Sequence, residues 1–384
     1  MKISENWLRT WVNPAIDSDK LSDQLTMLGL EVDDLSPAAK PFTGVVVGEV
    51  LTVEQHPDAD RLRVTTVNIG AAEPLQIVCG APNVRVGMKA PVATIGAVLP
   101  GDFKIKKGKL RGIESQGMLC GASEIDLEDK IDGLLELPED APVGINIREY
   151  LELDDNVIDI SITPNRGDCF SIRGIAREIG VINQLAVTTP DIKEVAATIS
   201  DEKQVVVTTE GCPRYLGRVI KNVNTKAATP AWMERALARS GIRQHSILVD
   251  ITNYVLMELG QPLHAFDAGQ VQGSVHVRQA TAGEKLVLLN EQEVELQDNV
   301  MVIADDEKAL AIAGIMGGLS SSVTDATTEI FLESAFFAPL AIAGRARSFG
   351  LHTDASQRYE RGVDFELPML AMHRASQLIA ESAG

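Results

Sequence analysis

Apolar positions change their spacing along the chain, and each change predicts a different kind of element. Between Ser18 and Gly29, Leu21, Leu25 and Leu28 fall on one helical face, with Ser18 placed to cap the helix and Gly29 to end it. From Pro41 the spacing shifts to short Val- and Ile-rich runs, Val45–Val53, Leu62–Val67, Leu75–Val78 and Pro91–Leu99, separated by Gly, Pro, Asn and Asp. Such a series predicts a small antiparallel barrel, a form that closes its own edges and so can be inserted into another domain. Beyond Leu151, a strand-like Val157–Ile162 leads into a helix over Ser171–Asn183, with Ile172, Ile175, Ile179 and Ile182 on one face. This helix can complete the core begun by the first. The pattern therefore predicts a discontinuous α+β domain, residues 1–38 plus 151–190, with the barrel at 39–148 inserted in it and a polar linker at 191–204.

Residues 205–384 alternate strands and helices irregularly, which predicts a second α+β domain. Thr229 followed by Pro230 reads as the cap and first turn of a helix running to Gly241, and Asp250 as the cap of another ending at Gly260. Strand-like runs follow at Val275–Arg278, Leu286–Leu289 and Val300–Ile303, and Met369–Ala380 reads as a closing amphipathic helix.

Composition narrows the classes. A chain of 384 residues with 45% apolar and 23% charged positions can bury enough surface for two or three domains and is not wholly disordered. The net charge of -19 opposes unspecific coating of nucleic acid, so any such contact must be local. No uncharged apolar run approaches the length of a membrane span, and Met1–Thr10 lacks a signal-peptide core, so the expectation is a cytoplasmic protein, neither exported nor membrane-spanning. Cys79, Cys120, Cys169 and Cys212 have no close cysteine partners, which points to buried reduced thiols rather than a zinc site. Dinucleotide, Walker, Gly-x-Ser-x-Gly and His-Glu-x-x-His motifs are absent from the sequence.

Charge is polarised within the barrel segment. Arg85, Lys89, Lys104, Lys106, Lys107, Lys109 and Arg111 stand against only Asp102 between 85 and 111, whereas nine acidic residues stand against Lys130 between 114 and 140. A basic stretch on a barrel is either a solvated face or a track for a phosphate backbone, and Phe103 is the one aromatic nearby, so backbone contact is favoured over base stacking.

In the last domain, ionisable and hydroxyl groups stand beside loop-forming residues in four places: at Arg243, at Gly260–Asp267 around His264, at Leu332–Phe337 around Glu333, and at Gly350–Ser356 around Thr353. Glu333 is the most informative, because an ionised carboxylate in an apolar strand-like run is costly unless it is paired or bound. His264 also reads as a packed histidine past a helix end, Thr353 as an ordinary turn hydroxyl, and Gly314–Gly318 as a tight turn or a close backbone approach to a ligand.

Several segments in register resemble one family. Glu5-Asn6-Trp7-Leu8, Gly44–Val50 with His56-Pro57-Asp58-Ala59-Asp60-Arg61-Leu62, Ile77–Asn83, Gly117–Cys120, Thr163-Pro164-Asn165-Arg166 and Tyr359–Asp364 together resemble the N-terminal half of the bacterial phenylalanyl-tRNA synthetase beta subunit. The resemblance implies that the inserted segment is an OB-fold of the tRNA-binding type, that the last domain is an editing domain, and that the sequence is an N-terminal fragment ending after it. It further implies an alpha subunit carrying aminoacylation, a heterotetramer of two alpha and two beta subunits, and tRNA(Phe) as the nucleic-acid partner. ATP and Mg would serve the complete synthetase, with no cofactor or metal in this part.

Editing has a physical motive, since an apolar synthetic pocket rejects the added hydroxyl of tyrosine only modestly. By resemblance, Glu333 would accept the phenol, His264 and Thr353 would be catalytic near the ester and orient water, Arg243 would lie near the terminal adenosine, and Gly317 and Ala355 would leave room for the ring. Two competing expectations stand beside this: a non-catalytic tRNA-docking or scaffolding module, and a barrel serving mainly protein contacts.

Overall fold

The structure is a computed structural model and describes residues 1–127 and 132–384. Glu128, Asp129 and Lys130 of the acidic stretch lie outside the described residues. Contacts divide the chain into two compact units, 36–156, and 1–35 together with 157–384.

In the smaller unit, six strands pair antiparallel in the order Gly117–Leu119, Lys89–Leu99, Thr43–Gln55, Arg63–Asn68, Leu75–Cys79, with Phe103–Lys104 added to Lys89–Leu99. The first long strand shifts register after Thr43 and again after Val50. Such bulges bend a strand, and here its two halves feed two cores, one around Val45 and Val47 and one around Val50, Val67 and Ile77. The expected closed barrel is not formed by ladder pairing. At the edge Leu75–Cys79, Ser115 Oγ accepts from Val78 N at 3.1 Å and Gln116 Oε1 from Gln76 N at 3.2 Å, so side-chain oxygens occupy the donors a closing strand would use. The backbone bond Gln116 N to Gln76 O at 2.8 Å joins this edge to the segment before the strand Gly117–Leu119.

The larger unit begins with a strand, Lys2–Ser4, that pairs with Asn156–Ser161, and a helix, Glu5–Trp11, that the apolar spacing did not reveal. Ser4 caps it by accepting from Trp7 N at 3.0 Å. The next helix spans Ser18–Met27; Asp17, not Ser18, is its cap, because the Asp17 carboxylate reaches Lys20 N at 2.8 Å. The helix Ile172–Asn183 is capped by Ser171 and buries Ile172, Ile175 and Ile179, whereas Ile182 is exposed. Residues 185–204 contain no helix or strand.

Two caps in the following region differ from expectation for one shared reason. Asp250 lies one turn inside the helix Ile247–Leu259, is buried, and its carboxylate accepts both from His245 N at 2.9 Å and from Thr229 Oγ1 at 2.6 Å. Thr229 is thus spent on Asp250 and leaves Pro230 at the start of the helix Ala231–Arg239 without a side-chain cap. The core of this unit gathers Trp7, Leu8, Ile172, Ile247, Val255 and Ala375 into one cluster. At its edge Glu258, 1% exposed, is clamped by Arg374 through two bonds of 2.8 and 3.0 Å and by Tyr254, which stacks on Trp7 at 4.8 Å. Arg374→Ala would leave that carboxylate buried and unpaired, and we expect a loss of about 3–5 kcal/mol in urea unfolding.

Three strands at the centre of the last region, Arg214–Lys221, Glu329–Phe336 and Leu263–Asp267, form an antiparallel sheet with Glu329–Phe336 in the middle. Beside it stands a five-stranded sheet containing Val275–Gln279, Met301–Ala304 and Ala309–Ile312. Its apolar residues, together with Phe331, Phe337 and Tyr359, make a second core. All four cysteines are buried and unbridged, and no helix among the described residues is long and apolar enough to cross a membrane.

Candidate functional site

The middle strand Glu329–Phe336 buries Ile330, Phe331 and Leu332 and then carries Glu333, which is 7% exposed. Residues that pair directly across an antiparallel ladder share a face of the sheet. His264 is the partner of Glu333 on one neighbouring strand, and Gly217 is its partner on the other. The register therefore puts carboxyl and imidazole side by side.

Both groups line one cavity of about 80 Å³ together with Pro262, the turn at Gly314 and Ile315, the short strand Met316–Gly317, Ala355 and Tyr359. That volume is several times the roughly 10–15 Å³ one water requires. Gly314 takes φ +68° in this turn, and a side chain there would press on Phe337 and Tyr359. At Gly317 a Cβ would fall 2.5 Å from His264 Cε1. The space left by that glycine is thus taken by the imidazole itself rather than by open pocket.

Electrostatically the two groups are pushed in opposite senses by the same cause. Burial raises the Glu333 carboxyl to about 7, partly opposed by a hydrogen bond from Tyr215 Oη to Oε2 at 2.6 Å. Burial lowers the His264 imidazole to about 4, and its Nε2 is buried with no hydrogen-bond partner among the described residues. Near pH 7 the imidazole is consequently neutral, a group able to orient a water but a weak base, while the carboxyl titrates in the physiological range.

The other anticipated residues are placed unevenly. Ala355 sits in the first turn of the helix Asp354–Arg361 and faces the cavity. Thr353 is that helix's cap and does not line the cavity: its Oγ1 accepts from Ser356 N at 3.1 Å and donates to Ile315 O at 2.9 Å. Its hydroxyl therefore ties the helix bearing Ala355 to the turn that leads into Gly317. Arg243 is exposed in the loop between the helices Ala231–Arg239 and Ile247–Leu259 and is not among the cavity's lining residues.

Sequence reasoning missed Tyr215, Tyr359 and Gln261. Gln261, fully buried, donates from Nε2 to Ala335 O at 2.8 Å, and Tyr359 Oη donates to the same carbonyl at 2.9 Å, which anchors the strand just beyond Glu333. Gln261 stood inside the segment Gly260–Asp267, but nothing in the sequence marked its burial. Tyr215 gave none, because only the strand register brings it to Glu333.

In the smaller unit the basic residues separate into engaged and open ones. Arg85 pairs with Glu136, Lys107 with Glu114 at 2.7 Å, and Lys89 donates to Ala141 O at 2.7 Å. Lys104, Lys106, Lys109 and Arg111 form no ion pair among the described residues, and all lie on or beside the strands Phe103–Lys104 and Gly108–Leu110. Asp168, Cys169 and Glu178 bring three metal-ligand atoms within 4.8 Å of one another. Arg166 already sits among them, 3.2 Å from Asp168 and 3.0 Å from Glu178.

Fold and site together define a chain of two recognisable parts: residues 211–384 match the B3/4 domain and residues 45–146 the "Putative tRNA binding domain". Phenylalanine–tRNA ligase beta subunits match over the whole chain, that of Acinetobacter baylyi at 82% identity, covering 100% of this chain and 48% of the relative, and that of Psychrobacter arcticus at 66%, covering 100% and 49%. An N-terminal fragment of the phenylalanyl-tRNA synthetase beta subunit from Pyrococcus horikoshii is similar at 14% identity and a TM-score of 0.28, over 47% of this chain and 56% of that one. The chain belongs to the phenylalanine–tRNA ligase beta-subunit family. It spans about half the length of the curated relatives it matches.

Proposed function

We propose that the cavity beneath Glu333 is a proofreading site that hydrolyses the ester of tyrosine misplaced on tRNA(Phe). The observation that carries this reading is the cross-strand pairing of a buried carboxyl with a buried imidazole whose Nε2 lacks a partner, both on one cavity. A phenol entering the cavity would find an acceptor at Glu333, and phenylalanine would leave that polar group unmatched. His264 would hold the attacking water near the ester, and Thr353 would act by holding turn and helix together rather than by touching substrate. Arg243, exposed and not among the lining residues, would lie near the terminal adenosine. The experiment is deacylation of Tyr-tRNA(Phe) and Phe-tRNA(Phe) by the full chain, comparing the wild type with cavity variants.

The smaller unit is read as an OB-fold type module whose open cations, Lys104, Lys106, Lys109 and Arg111, track phosphates. Reversing these four to Glu should flatten the salt dependence of tRNA binding, with the log–log slope falling by about 0.7–0.9 for each lost contact. An unchanged slope would favour a module serving protein contacts. In the whole protein an alpha subunit, in a heterotetramer of two alpha and two beta subunits, would supply ATP- and Mg-dependent aminoacylation.

A further inference from the structure

We propose that Tyr215 is a positioning residue for Glu333, holding one carboxyl oxygen so that the other is left to meet the hydroxyl of the bound aromatic side chain. The proposal rests on the editing reading above. Tyr215 pairs with Ala335, and Gly217, two residues on, pairs with Glu333. Tyr215 is accordingly the diagonal neighbour of Glu333 on the same sheet face, a distance that a long aromatic side chain spans. Its Oη donates to Glu333 Oε2 at 2.6 Å. Glu333 lines the cavity, whereas Tyr215 does not.

The proton count follows from that bond. Oε2 accepts from Tyr215, so the proton of a neutral Glu333 resides on Oε1. In that state Oε1 carries the proton, acts chiefly as a donor and is only a weak acceptor for a substrate phenol. When the carboxyl ionises, Oε1 becomes an acceptor, and a phenol donating to a charged oxygen makes the stronger bond. A hydrogen bond to the ionised form favours that form, so Tyr215 keeps Glu333 in the state that selects a hydroxyl. Burial has moved the carboxyl to about 7, where one hydrogen bond decides which form prevails.

The test is Tyr215→Phe in the full chain, which keeps the ring and removes the hydroxyl. Two readouts are taken: the ratio of kcat/KM for Tyr-tRNA(Phe) over Phe-tRNA(Phe) as a function of pH, and the titration of the Glu333 carboxyl carbon by NMR, assigned with Glu333→Gln. At pH 7 the ratio should fall about fivefold, as the ionised fraction drops from about a half to about a tenth, and both the rise of the ratio and the carboxyl midpoint should move up by about one pH unit. In a Glu333→Gln background, Tyr215→Phe should change the ratio no further. An unmoved midpoint, equal losses on both esters, or a further drop in the Glu333→Gln background would overturn the proposal. If the wild type hydrolyses neither ester, the editing reading fails, and the NMR midpoint alone decides whether Tyr215 controls the carboxyl.

Discussion

Ala355→Trp is expected to reduce deacylation of Tyr-tRNA(Phe) by at least about 100-fold while leaving the protein folded. Ala355 is half-buried at the first turn of the helix Asp354–Arg361 and contributes only a methyl group to the wall of a cavity of about 80 Å³. An indole at that position fills the space in front of Glu333 and His264, and an ester carbonyl displaced by about 1 Å already costs on the order of 100-fold. Overpacking carries a cost of roughly 1–3 kcal/mol, and the side chain has solvent on one side, so the thermal midpoint should drop by a few degrees at most. The check is single-turnover deacylation beside a melting curve and a tRNA-binding curve. Loss of hydrolysis with intact binding and folding supports the cavity as the reacting site. Unchanged hydrolysis would remove the cavity from consideration and leave a docking module.

How far the sequence displayed this site depends on how local each signal is. Glu333 was legible because a carboxylate interrupts Ile330, Phe331 and Leu332 within four residues, and burial of such a group needs a reason. The Val- and Ile-rich strands such as Thr43–Gln55, Leu75–Cys79 and Met301–Ala304, and the final helix Leu367–Ser382, were legible from period within a residue or two, whereas Arg214–Lys221 and Leu263–Asp267 of the site's own sheet were not. What period cannot show is register between distant strands. The pairing of His264 with Glu333, and of Tyr215 two positions away, is fixed by the sheet order Arg214–Lys221, Glu329–Phe336, Leu263–Asp267. Capping was legible in kind but not in address. Thr353 could be read as a turn hydroxyl and is a cap with a second bond to Ile315 O, while Thr229 and Asp250, each expected to cap its own helix, bond to each other. The helix Glu5–Trp11 is too short for its apolar spacing to repeat, so only Ser4 marks it. The anticipated closed barrel failed on side chains, since Ser115 and Gln116 satisfy the edge that a strand would have covered.

Removing the carboxyl itself is expected to cost selectivity more than rate. In Glu333→Ala the ratio of Tyr-tRNA(Phe) to Phe-tRNA(Phe) hydrolysis should fall by roughly 10–100-fold, the value of one hydrogen bond to a charged group at about 1.5–3 kcal/mol. Hydrolysis of Phe-tRNA(Phe) should change far less, because the neutral imidazole of His264 and residues 314–317 remain in place. The pH dependence supplies an independent sign. Glu333 has a folded value near 7, above its unfolded range, so its contribution to stability is fully present below about 4.5 and is lost as pH rises through 7. Glu333→Gln, which keeps the volume, should therefore match or exceed the wild type in urea unfolding at pH 8 and lose that advantage at pH 5. At the same time, the wild type's preference for the tyrosyl ester should grow between pH 6 and pH 8 as the acceptor form accumulates, and the variant's should stay flat. Equal loss on both esters would mean that Glu333 acts in catalysis or folding rather than in choosing the side chain. A preference that persists unchanged in Glu333→Ala would move phenol recognition to another polar group of the same cavity, the His264 imidazole or the backbone of residues 314–317.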